Sequence, residues 1–147
     1  MKSAITARVT LWVNRAIFAL VCSLLFLMPS FLRWYQNIRP LVENSVRAIS
    51  LGFYLCAPTV LWALWTMDLL LRSILAGDVF VTENVRRIRQ IRVCCAVVSL
   101  ICLVAARFYP PLIFLTVIMA FLALVVTVVG QVMKAAVEIR EENDLTV

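Results

Sequence analysis

Four apolar runs separated by short polar stretches constrain this chain more than any other feature. They fall at about residues 11–32, 48–71, 93–108 and 112–133. A helix rising about 1.5 Å per residue needs roughly 20 apolar residues to cross the hydrocarbon of a bilayer. Three of the runs reach that length alone. A soluble core is the competing explanation, and it fails on size. The chain has 147 residues and is 64% hydrophobic, against about 45–50% in ordinary soluble domains. So short a chain has too little interior for the excess. The expected fold is therefore all-α. It is a single integral membrane domain, residues 1–147, built as a four-span transmembrane helical bundle.

The first run follows Lys2 and Arg8, as a signal peptide would. It continues through Pro29, Ser30, Phe31 and Leu32 into Arg33 with no small-x-small cleavage site, so a retained helix is expected. Pro58 lies near the middle of the second run. It has no N–H to donate and should bend that helix at the Tyr54 carbonyl, a distortion that neighbouring helices make tolerable in membranes. Gly77 and Asp78 are turn formers. Thr82 reads as a helix N-cap, with Glu83 in the first turn favouring the helix dipole. Val85, Ile88, Ile91 and Cys95 then recur at helical spacing, and Arg86, Arg87, Arg89 and Gln90 fill the other face. This predicts an amphipathic cytoplasmic extension leading directly into the third span. That span is short, so Arg107 must snorkel to the far interface. Pro110-Pro111 makes a tight turn. A charged C-terminal tail runs from Lys134 to Val147.

Basic residues set the expected orientation. Lys2, Arg8, Arg15, Arg72, Arg86, Arg87, Arg89, Arg92, Lys134 and Arg140 fall on one side of a four-span arrangement. Arg33, Arg39, Arg47 and Arg107 fall on the other. The positive-inside rule then places both termini and the middle loop in the cytoplasm. The same bias accounts for the net charge of +6 without direct nucleic-acid binding.

Lipid tails are as apolar as leucine, so helices in a bilayer associate through close packing at small residues. The second span carries Gly52, Cys56, Thr59, Ala63 and Thr66. The third carries Cys95, Ser99, Cys102 and Ala106. The fourth carries Thr116, Ala120, Ala123, Thr127 and Gly130. Their alternating spacing of four and three predicts left-handed packing. The best line on the first span is Ala16, Ala19 and Ser23. The five cysteines fit this picture as small apolar packing residues.

Among candidate sites, Asp68 is the acidic residue inside a span, and intramembrane carboxylates are functional candidates. Arg72, four residues on, can satisfy it as an i,i+4 pair, and Asn14 and Arg15 lie at the same mouth. The cluster of Arg86, Arg87, Arg89 and Arg92 has three candidate partners. These are anionic lipid, a soluble protein, and the acidic tail of Glu138, Glu141, Glu142 and Asp144. Residues 78–92 sum to +2 and residues 134–147 to −2, which favours the tail. Ile88 and Ile91 would then pack on Ile139 and Leu145. No catalytic constellation appears. The absence of histidine removes bis-His haem and His-containing zinc sites, three glycines leave little scope for nucleotide loops, and no cofactor is expected.

The spacing Gly77-x-x-Phe80-x-x-x-Asn84-x-x-x-Ile88-x-x-Ile91 and the end Glu141-Glu142-Asn143-Asp144-Leu145-Thr146-Val147 resemble an uncharacterised bacterial membrane family, domain-of-unknown-function family 2975. Here Val81 separates Phe80 from Thr82, where the family more often has Thr directly after Phe. The resemblance implies a four-span protein of the bacterial inner membrane with no established activity. Some members are similar to proteins encoded beside small helix-turn-helix regulators, which implies a membrane partner of such a regulator. The expected function is non-enzymatic, with a cytoplasmic loop-plus-tail surface that senses or sequesters a transcription regulator. A small transporter or channel component using Asp68 is the alternative. The oligomeric state is open.

Overall fold

A computed structural model describes the backbone of residues 2–38 and 43–145, and the side chains of residues 5–38 and 44–143. The chain forms four helices: α1 (Lys2–Ile38), α2 (Glu43–Leu75), α3 (Thr82–Ala106) and α4 (Leu112–Leu145). All four are long and apolar enough to cross a membrane. The expected third span and its amphipathic extension are one continuous helix. The charged tail is a continuation of α4 as far as Leu145.

Each helix packs antiparallel on the next. Residues 15 and 25 of α1 meet 68 and 54 of α2. Gly52 of α2 faces Ala105 of α3, and Arg87 of α3 reaches Leu69 of α2. Ser99 and Ile88 of α3 meet Thr116 and Gly130 of α4. Among the described residues, the backbone of α1 comes close to neither α3 nor α4, and that of α2 does not come close to α4, although side chains of all four helices reach a common cavity. The four helices therefore form an open row, with α3 between α2 and α4.

Burial follows that order. α3 buries Asn84, Ile88, Cys94, Val98, Cys102 and Ala105. Large apolar side chains on the other helices face outward, among them Phe26, Phe114 and Leu124, and so does Leu100 on the opposite face of α3. In water such a surface would drive association; in lipid it is the solvated surface.

The small-residue seams are real in part. Thr66, Cys102 and Thr116 are buried. A Cβ on Gly130 would lie 3.2 Å from Ile88 Cγ2, so α3 and α4 approach closely there. Ala120, however, is exposed, and so are Ala16, Ala19 and Ser23. On α3 the buried positions are Cys94 and Ala105 rather than Cys95 and Ala106. The reason is that α3 serves two neighbours, so its buried face is not a single stripe of small residues. α1 instead turns Leu11 and Asn14 inward.

Both helices that contain proline run unbroken through it, α1 at Pro29 and α2 at Pro58. Pro29 has no N–H, so the Leu25 carbonyl lacks its helical donor. The Tyr54 hydroxyl of α2 donates to that oxygen at 3.4 Å. A deficit in one helix thus becomes a tie between two.

Candidate functional site

The end of the molecule where α1 begins and α4 finishes also carries the α2–α3 loop. α2 ends in a left-handed turn. Gly77 has φ 94°, which an L side chain would resist. The Gly77 N–H donates to Ile74 O (3.2 Å) and the Asp78 N–H to Ser73 O (3.1 Å). This is the Schellman pattern that satisfies the last carbonyls of a helix.

Asn84 organises the segment between that turn and α3. Its side chain is fully buried. Nδ2 donates to the Asp78 carbonyl at 2.7 Å and to the Val79 carbonyl at 3.1 Å. Oδ1 accepts from Arg87 Nη1 at 3.2 Å, and the same nitrogen donates to Leu69 O of α2 at 3.2 Å. Asn84 and Arg87 therefore fasten the loop to α3, and α3 to the end of α2. The N-cap of α3 is Val81 and not Thr82, with no side-chain capping bond. Asn84 has taken over the ordering of the loop, and the Thr82 hydroxyl is free to donate to Glu141 Oε1 of α4 at 3.4 Å.

This arrangement divides the expected cluster. Arg87 is half-buried and structural, with Glu83 3.8 Å away. Arg86 and Arg89 are exposed, Arg92 is half-buried, and Phe80 faces outward. On α4, Glu138 pairs with Lys134 of its own helix at 3.5 Å, and Glu142 is exposed. The side chains of Asp144 and Leu145 lie outside the described residues. Among the described residues, none of Arg86, Arg89 and Arg92 forms an ion pair with Glu138 or Glu141. Loop and tail are joined instead by Thr82–Glu141, and α3 and α4 meet one turn before the tail, where Ile88 is seated against Gly130. Ile139 is exposed and Val137 buried. The face of α4 toward α3 continues from Gly130 through Met133 to Val137, and two further residues turn Ile139 away.

A second polar cluster lies at the α1–α2 junction on the same side. Asp68 is buried. Arg15 Nε lies 3.0 Å from its Oδ1, and Arg72 Nε lies 2.7 Å from its Oδ2. Asn14 Nδ2 donates to Leu64 O at 3.0 Å. Sequence proximity points to Arg72, and the shared mouth of the two helices to Arg15, whose bond to Asp68 spans 53 residues. Toward the other side, an apolar cavity of about 390 Å³ is lined from all four helices, with Cys56 and Cys102 among its walls. Among the described residues no group of three His, Cys, Asp or Glu side chains could hold a metal ion.

The family described as Protein of unknown function (DUF2975) matches residues 4–147, nearly the whole chain, and the chain belongs to it. No curated protein and no solved structure matches.

Proposed function

We propose that this member of the DUF2975 family acts by contact rather than by catalysis. The α2–α3 loop, the first turns of α3 and the end of α4 form one prefolded docking platform. The platform lies on the cytoplasmic face of a bacterial inner membrane and receives a soluble protein. A small helix-turn-helix regulator is the partner we favour, in keeping with the family resemblance.

The observation that carries this reading is the contrast at Asn84. A wholly buried polar side chain fixes the platform from within, while Phe80 and Val81 of the loop, Arg86 and Arg89 of α3, and Ile139 of α4 are exposed. Exposed apolar side chains interleaved with arginines that, among the described residues, are not held in ion pairs suit a protein interface, where aromatic residues and Arg are enriched. Transport through Asp68 has less support, since each carboxylate oxygen is held by a guanidinium.

A photo-crosslinking amino acid at position 80 or 139, in membranes of the producing cell, should capture the same soluble protein from both positions. One at Leu122, exposed in the apolar part of α4, should capture none. Crosslinks to lipid alone from positions 80 and 139 would remove the reading.

A further inference from the structure

Asp68 offers one negative charge to two positive ones. The carboxylate side chain is 12% exposed, while those of Arg15 and Arg72 are 44% and 57% exposed. The cluster therefore carries one uncompensated positive charge, presented outward. Each guanidinium meets Asp68 through Nε. No other acceptor meets either one among the described residues, so their terminal nitrogens remain as donors.

Both arginines border a cavity of about 140 Å³, with Asn14, Phe18 and Trp65 among its other walls. The cavity lies about one turn inside the end of the second apolar run, at the depth where hydrocarbon gives way to headgroups. Trp65 is exposed beside it, and tryptophan favours that interface. Guanidinium groups bind phosphate oxygens through paired N–H donors. A net charge of +1 selects a lipid of net charge −1 over a zwitterionic one.

We propose that the α1–α2 junction is a binding site for the phosphodiester of an anionic phospholipid, held between Arg15 and Arg72. Asp68 is the positioning residue. It draws both guanidiniums to one point and aims their free nitrogens at the same oxygen cluster. Trp65 and Phe18 supply the apolar wall along which the upper part of the lipid lies. The site is separate from the loop-and-tail platform and does not depend on it.

Thermal unfolding of the purified full chain in mild detergent tests this, with phosphatidylglycerol, phosphatidylcholine or inorganic phosphate added. Phosphatidylglycerol should raise the unfolding temperature of the wild type by roughly 4 °C or more. Phosphatidylcholine and inorganic phosphate should raise it far less. The selective rise should disappear in Arg15→Gln and in Arg72→Gln, and persist in the double variant Arg86→Gln/Arg89→Gln. Should a glutamine variant fail to fold, Arg72→Lys keeps the charge without the fork, and its selective rise should be smaller than that of the wild type. An equal rise with phosphatidylcholine would overturn the proposal. So would an equal rise with inorganic phosphate, which would make the site one for soluble anions. A selective rise unchanged in Arg15→Gln, Arg72→Gln or Arg72→Lys would overturn it as well.

Discussion

α1 and α4 are the two outer helices of the row, each with a single neighbour, yet they are held by different physics. α1 meets α2 through separate polar ties: Asn14 to Leu64, Arg15 to Asp68, and Tyr54 to the carbonyl freed by Pro29. Two of its described residues, Leu11 and Asn14, are buried, as are two of α4, Thr116 and Val137, so the two helices differ in how they are tied rather than in how many residues they bury. α4 lies along α3 over a longer contact. That seam runs from Thr116, beside Ser99, through Gly130 to Glu141, beside Thr82. Polar ties in a membrane are worth about 1 kcal/mol each, whereas close apolar packing is spread over many atoms. α1 should therefore come away when a few polar groups are removed. α4 should yield only to added bulk.

The largest effect should come from bulk in the α3–α4 seam. Gly130→Val places two methyl groups beyond a Cβ that already lies 3.2 Å from Ile88. It should destabilise by about 3 kcal/mol, read as loss of thermal stability in mild detergent. Gly52→Ala adds a Cβ at an ordinary 3.6 Å from Ala105 and should change little. If the two behave alike, close approach is not what holds α4.

Next is Asn84→Ala. It removes two donors and one acceptor from a fully buried network. A cost of about 2–3 kcal/mol is expected, because the Arg87 hydrogen bond is charge-assisted and buried polar partners are left unpaired. Amide exchange should rise across residues 77–84 and leave the core of α4 unchanged. Uniform loosening of all four helices would show that the loop is not a separate unit.

Asp68→Leu should cost about 1–2 kcal/mol. It leaves two guanidiniums facing one another, but both are partly solvated, which reduces the penalty. Its signature should be selective: proteolysis near Arg15 should increase while α4 stays protected. The smallest effect should be that of Tyr54→Phe, at or below about 1 kcal/mol. Its 3.4 Å bond to Leu25 is long. A larger loss would mean that the proline-freed carbonyl is the main anchor of α1.

The spans were legible because hydrophobicity over some twenty residues is an additive signal that no tertiary detail reverses. The pair Asp68–Arg72 was legible as an i,i+4 spacing. The role of Asn84 was not. Gly77, Phe80 and Asn84 stand out as a motif, but the partners of Asn84 include the carbonyls of Asp78 and Val79, and backbone carbonyls have no sequence signature. Ala120 and Ile139 were misplaced for a common reason. A one-residue error in phase is about 100° around a helix, and only the position of α3 between two neighbours fixes that phase. Pro29, passed over as part of an apolar run, left a carbonyl whose partner was a tyrosine on another helix.

The loop, the start of α3 and the end of α4 either form one folded platform or do not. Hydrogen–deuterium exchange of the full chain in lipid nanodiscs decides that most directly. Amides of residues 134–143 should be protected together with those of residues 84–92. Asn84→Ala should release residues 77–84 first, and protection of 134–143 should outlast it. Exchange of residues 134–143 at the rate of an unstructured peptide, beside a protected start of α3, would contradict a single platform.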